Sequence, residues 1–193
     1  VFQYPEYQLF ETSVIKDVAF GPKNQGLNEK EALERAKEAL IMAGLNEEHW
    51  EKSPFELSGG QKRGAAIAGV LAMEPEMLIL DEPTAGLDPK GRNELFDQIC
   101  QLREQKGMTI VLVSHCMEDV AEHVDRLIAM QKGRVLFDGT TRDVFTHVKE
   151  LEEAELAVPE VTYLMRDLKA RGIPVRTDVI TLEEAEKEIL RLC

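Results

Sequence analysis

The chain is poor in cysteine, aromatic residues, positive charge and long apolar runs, and each shortage closes off a class of function. Its cysteines are Cys100, Cys116 and Cys193, with no Cys-x-x-Cys among them. Neither a zinc site nor a disulfide framework is therefore expected, and a reducing cytoplasm fits best. Lys and Arg number 23 against 36 Asp and Glu, a formal net charge of −13. Phosphate backbones and anionic surfaces are gripped by clustered Lys and Arg, so no nucleic acid and no anionic lipid is expected as the main partner. The longest wholly apolar run, Gly64 to Met73, is about half of the ~20 residues a membrane-spanning helix needs. The chain itself is expected to be soluble. No signal peptide, internal repeat or low-complexity tract appears, and the chain opens at Val1 rather than Met, in the middle of something.

What is present is a chain of 193 residues and 44% hydrophobic content, enough for one good core and a smaller appendage. It is organised around Met77 to Pro89. Met77, Leu78, Ile79 and Leu80 are apolar without alternation, the pattern of a central strand covered by helices on both faces. Asp81 and Glu82 close the strand and Pro83 stops it, at the edge where open α/β sheets collect ligands. Adjacent acids there suit phosphoryl transfer, one holding Mg²⁺ and the next orienting and deprotonating the attacking water. Alone, the same pair also reads as a turn cap and a solvated side chain. Leu57-Ser58-Gly59-Gly60-Gln61 upstream and Val113-Ser114-His115 downstream favour the first reading.

Together these motifs resemble the nucleotide-binding ATPase of ABC transporters. Leu57 to Gln61 matches the signature motif, Met77 to Glu82 the Walker B motif with its catalytic glutamate, Ala85 to Asp88 the D-loop, and His115 the switch histidine. Val1-Phe2-Gln3-Tyr4-Pro5-Glu6, Phe20-Gly21-Pro22 and Thr84 to Arg92 are most similar to the ATPases of energy-coupling factor transporters, importers of cobalt and vitamins. The resemblance covers the whole chain. Its start falls at that family's Q-loop, so the Gly-x-x-x-x-Gly-Lys-Ser/Thr loop expected upstream is absent. Gly59 to Gly64 is glycine-rich but lacks Gly-Lys-Ser/Thr and belongs to the signature.

In chain order, Gln3 resembles the loop glutamine that reaches Mg²⁺ and the attacking water, or is an exposed polar residue at a frayed terminus. Leu9, Phe10, Val14 and Val18 lie at near-helical spacing. By resemblance this region receives a helix of the membrane subunit; packing inward is the alternative. Phe20-Gly21-Pro22 to Gly26 reads as a loop. Asn28 is an N-cap with Glu31 three residues on, and Leu33, Ala36, Leu40 and Ile41 form the stripe of a helix ending near Gly44. Ser58 caps the next helix, whose glycines let backbone amides approach a phosphate. Where the family continues Arg-Arg-Val, this chain has Arg63-Gly64-Ala65, and Gly64 there costs about 1 kcal/mol relative to Ala. After the Asp88 cap, Leu95, Phe96, Ile99 and Leu102 mark a helix ending near Gly107, and Thr109 to Val113 a buried strand. Cys116 follows His115 where the family often has Asp. Met117 to His123 begins a helix, Arg126 to Met130 a strand, Lys132-Gly133-Arg134 a turn, and Thr140 to Val148 the last helix of the core. Beyond Lys149 come charged helical segments with stripes Val161, Leu164, Met165, Leu168 and Leu182, Ala185, Ile189, Leu190.

The expected fold is therefore α/β, an incomplete P-loop NTPase-like ABC ATPase core with a helical subdomain and a small C-terminal helical appendage. Its expected divisions are 1–74 (Q-loop and helical subdomain), 75–149 (Walker B, D-loop and switch) and 150–193 (appendage, a dimerisation element). The resemblance implies ATP and Mg²⁺ as cofactors, with Asp81 and Gln3 at the metal, and Glu82 and His115 catalytic. Ser58, Gly59, Gly60 and Gln61 would face a nucleotide held by a second, identical or paralogous ATPase subunit, with Gln3 and Asp88 linking site and partners. It also implies a transmembrane coupling subunit and a cytoplasmic position on the inner face of the cell membrane. Other readings are a soluble ABC ATPase switch acting on ribosome or DNA, and a non-catalytic interaction fragment. The chain as given is expected to be inactive.

Overall fold

A computed structural model describes Val1 and residues 4–192, in two compact units, Val1–Val113 and Ser114–Cys193.

In the first unit a 3₁₀ turn over Pro5–Gln8 leads to helix α1, Val14–Asn24. The start of α1 is not capped by the Ser13 side chain; its first amides, of Val14 and Ile15, donate to the Lys52 and Trp50 carbonyls at 3.0 and 2.9 Å. Phe20, Gly21 and Pro22 lie inside this helix, not in the loop that the sequence suggests. Gly21 carries the reason, because a Cβ there would lie 2.7 Å from Met73 Cγ. The glycine marks a close approach to Met73, not a turn. The loop begins only at Gln25, with Gly26 at φ +96°.

Helix α2, Glu29–Met42, starts in the expected capping box between Asn28 and Glu31 and runs to Gly44, in the left-handed region at φ +70°. Its buried face is Ala32, Ala36, Ala39 and Leu40, while Ile41, expected on the stripe, is exposed. Three alanines let the neighbouring helices come close. Helix α3, Gly59–Leu71, packs against it, and a Cβ on Gly64 would meet the Ala43 carbonyl oxygen at 3.4 Å, an ordinary contact that does not by itself require glycine.

Strand β1, Met77–Asp81, pairs in parallel with β2, Thr109–Val113, in the register Asp81 to Val113, and helix α4, Pro89–Lys106, makes the crossover. The four predicted positions of α4, Leu95, Phe96, Ile99 and Leu102, are all buried, and Gly107 ends it in the left-handed region. Val1 lies on the other edge of β1, donating to the Ile79 carbonyl and accepting from the Asp81 amide. The expectation that both faces of β1 are covered is corrected. Leu78 and Leu80 enter the core with Ile67, Phe96 and Val18, but Met77 and Ile79 are each 51% exposed. Val111 and Val113 of β2 are exposed as well. Helices cover one face of this two-stranded sheet, and an unbroken apolar run does not reveal that one side is open.

In the second unit, helix α5, Met117–His123, precedes an antiparallel hairpin of β3, Arg126–Gln131, and β4, Arg134–Thr140. Lys132 and Gly133 both have positive φ, which suits the tight turn between twisted strands. Helices α6, Thr141–Thr146, α7, Val148–Glu153, α8, Glu160–Ala170, and α9, Leu182–Leu190, follow. Val120, Phe145, Leu151 and Ile180 share one core; Met165, Val175, Val179 and Ala185 form a smaller one. Only part of each expected stripe is buried: Leu164, Leu182 and Leu190 are exposed. An ion pair between Arg142 and Glu184 ties α6 to α9.

Candidate functional site

The first unit brings two predicted pieces together. One is the turn after β1. Glu82 extends the ladder, its amide donating to the Val113 carbonyl at 2.9 Å, and then turns the chain at φ +46°. A non-glycine residue held in the left-handed region is strained, and such strain gathers at functional sites. Pro83 has no amide to donate, so pairing ends there. The turn is closed by Ala85 N to the Glu82 carbonyl and Leu87 N to the Thr84 carbonyl, both 3.1 Å. Asp88 then caps α4, accepting from Gly91 N at 2.7 Å. Asp81 is exposed and Glu82 half-buried at the C-terminal end of the parallel strand. A single exposed carboxylate fits Mg²⁺, which takes one or two carboxylates and completes its shell with phosphate oxygens and water.

The other piece is the start of α3. Ser58 Oγ accepts from Gln61 N at 3.3 Å while Gln61 Oε1 accepts from Ser58 N at 2.9 Å, a reciprocal cap that fixes the first helical turn. Among the described residues nothing accepts from the amides of Gly59 and Gly60. Both residues are exposed, and nothing lies within 4 Å of where a Cβ would stand. Their own chain does not require glycine here. Exposed amides at the positive end of a helix suit an anion.

Sequence reasoning missed two residues of this arrangement. Arg63, 6% exposed, sends Nη1 to the Pro83 carbonyl at 2.8 Å and Nη2 to the Ala85 carbonyl at 2.9 Å. It thereby ties the signature helix to the turn carrying Glu82. The available signal was a guanidinium one step before the longest apolar run of the chain. His49 is the second, with Nε2 3.1 Å from Gln61 Nε2 and Nδ1 3.1 Å from Lys52 Nζ. A polar 3₁₀ turn gave no hint of it.

His115 belongs to the second unit and is exposed on the bend before α5, where the Cys116 amide donates to Ser114 Oγ at 3.0 Å. Gln3 lies outside the described residues. Among the described residues no helix is long and apolar enough to cross a membrane.

A family model described as ABC transporter matches residues 1–85. The chain is 56% identical over all its length to the energy-coupling factor transporter ATP-binding protein EcfA2 of Clostridium tetani, covering 67% of that protein. It is 55% identical, again over all its length, to the protein of the same name from Clostridium acetobutylicum, covering 68%. The chain thus spans about two thirds of the length of the curated relatives it matches. Among solved structures, cbiO1 of Clostridium perfringens, part of an ABC transporter complex, superposes with a TM-score of 0.70 at 41% identity, over 86% of this chain and 66% of that one. A dimeric ATP-binding cassette bound to ADP and Pi gives 0.60 at 30% identity, over 72% and 62%. The α/β architecture is thus that of an ABC ATPase cassette, and the chain belongs to the ATP-binding proteins of energy-coupling factor transporters, within the ABC transporter family of transport-coupled ATPases.

Proposed function

We propose that this chain is the ATP-hydrolysing subunit that energises uptake of a metal ion or vitamin through an energy-coupling factor importer. The observation that carries this reading is the pair Gly59 and Gly60, whose open amides stand at the capped start of a helix that is itself bonded to the turn of Glu82. Glycines that their own chain does not need make sense where a phosphate or a second chain approaches. In this reading Ser58, Gly59, Gly60 and Gln61 face a nucleotide held by a second ATPase subunit, identical or paralogous. Asp81 with Gln3 would hold Mg²⁺, which would neutralise charge on the phosphates. Glu82 accepts the proton of the attacking water, and His115 contacts the γ-phosphate. Gln3 and Asp88 link the site to the membrane subunit and the partner chain.

An aromatic surface on the first unit supports a membrane partner. Phe10 packs edge-to-face on Phe20 with ring centroids 4.9 Å apart, and both are exposed, at 58% and 42%. Exposed aromatics of this kind suit a docked apolar helix. The chain would then sit on the cytoplasmic face of the membrane without entering it. The divisions 1–74, 75–149 and 150–193 are retained as functional parts, the last as a dimerisation element that offers Leu182 and Leu190 to a partner. Substituting Glu82→Gln in a purified full-length transporter complex tests the assignment. Hydrolysis is expected to fall by about two orders of magnitude or more with ATP binding retained, because the base is lost and the shape kept. Near-normal turnover would sink it. His115→Ala is expected to reduce turnover similarly, and unchanged turnover would return His115 to a structural role.

A further inference from the structure

We propose that Arg63 is a positioning residue that makes the signature helix and the Glu82 turn move as one body; the inference rests on the reading of Glu82 given above. Arg63 is 6% exposed and has left most of its water, so the acceptors that take the place of that water set where its guanidinium sits. Two of its donors are matched by carbonyls on either side of Thr84, at 2.8 and 2.9 Å. The planar fork fixes both the distance and the tilt of that turn, which a single ammonium donor does not. The bonds also fall where support is needed. Glu82 sits at φ +46°, and a strained residue keeps such a conformation only when its surroundings hold it. The turn's own bonds, Ala85 N to Glu82 and Leu87 N to Thr84, close it without anchoring it to a helix. Arg63 supplies an anchor of that kind, rooted about one helical turn from the Gly59 and Gly60 amides. A phosphate that shifts those amides therefore shifts the backbone that aims the Glu82 carboxylate.

The test is a double-mutant cycle in the full-length transporter complex, with kcat and KM for ATP measured for wild type, Arg63→Met, Arg63→Lys, Glu82→Gln and the combined Arg63→Met/Glu82→Gln. Arg63→Met is expected to lower kcat about tenfold or more with KM changed less than about twofold, the signature of misplaced chemistry and not of lost binding. Arg63→Lys, which reaches one carbonyl of the two, is expected to fall between. In the Glu82→Gln background the Arg63→Met loss is expected to vanish. If Glu82→Gln alone turns over normally, the reading of Glu82 fails and this inference with it. If that control behaves as stated but Arg63→Met costs the same in both backgrounds, or costs nothing in either, the coupling role of Arg63 alone is overturned. Where Arg63→Met does not assemble, the cycle is run with Arg63→Lys, and equal losses in the two backgrounds again refute the coupling.

Discussion

At the scale of single residues, Glu82 sets stability against chemistry. A glutamate at φ +46° costs on the order of 1 kcal/mol, whereas asparagine enters the left-handed region readily. Glu82→Gln and Glu82→Asn both remove the carboxylate, so they differ mainly in how well they tolerate this backbone. We expect the Asn variant to be more stable than the Gln variant by about 0.5 to 1 kcal/mol in denaturant unfolding of the full-length protein, with both inactive. Equal midpoints would mean that the turn relaxes when the carboxylate goes. The sequence announced Asp81 and Glu82 because a strand ending in two acids and a proline is a local pattern. It did not announce Arg63 as a partner, because the acceptors are backbone carbonyls twenty and twenty-two residues away, and backbone atoms have no sequence.

At the scale of elements, the helices that matched expectation are those whose ends are written locally. Asn28 with Glu31 and Ser58 with Gln61 cap their helices reciprocally, Asp88 caps its own by accepting from the Gly91 amide, all at a spacing of three residues, and Gly44 and Gly107 stop two of these helices with positive φ. Helix α1 was misjudged because its start is capped by the Lys52 and Trp50 carbonyls and its Gly21 answers to Met73, contacts far away in sequence. Which face of β1 is open is not written in β1 itself: burial belongs to what lies above a sheet, and Met77 and Ile79 read the same covered or bare. Two capping boxes now make a controlled comparison. Asn28→Ala and Ser58→Ala are each expected to destabilise the full-length protein by about 1 kcal/mol. Asn28 is remote from the candidate site, so its variant should hydrolyse ATP at the wild-type rate in the assembled complex. Ser58→Ala frees the first turn of α3 and should raise KM for ATP several-fold besides. If both variants lose the same activity, the cap of α3 matters for folding alone.

At the scale of the whole molecule, the question is what residues 1–193 can do unaided. In phosphate-loop ATPases most of the grip on the β- and γ-phosphates comes from the amides and lysine of a glycine loop, whose Ser/Thr also holds part of the Mg²⁺ shell. No Gly-x-x-x-x-Gly-Lys-Ser/Thr occurs in these residues. What they offer instead is Gly59 and Gly60 on a capped helix, two carboxylates at a strand end, and a net charge of −13 that repels a polyanion. Two open amides and a helix dipole contribute roughly 1 kcal/mol each at an exposed site, against the ~8 kcal/mol that micromolar affinity represents. The signature helix is thus suited to completing a nucleotide bound elsewhere, and ill suited to capturing one. At the same time Met77, Ile79, Val111 and Val113 place four apolar side chains on the open face of β1 and β2. Such a face is driven to find cover. We therefore expect residues 1–193, prepared on their own, to show no micromolar binding of Mg-ATP in calorimetry and no phosphate release, and to self-associate in sedimentation. Placing Glu in turn at Ile79 and Val111 should shift that association toward monomer while leaving the Leu78 and Leu80 core intact, since the substituted side chains face outward. Clear micromolar binding, or turnover that vanishes with Glu82→Gln, would show that the signature helix grips phosphate without a glycine loop.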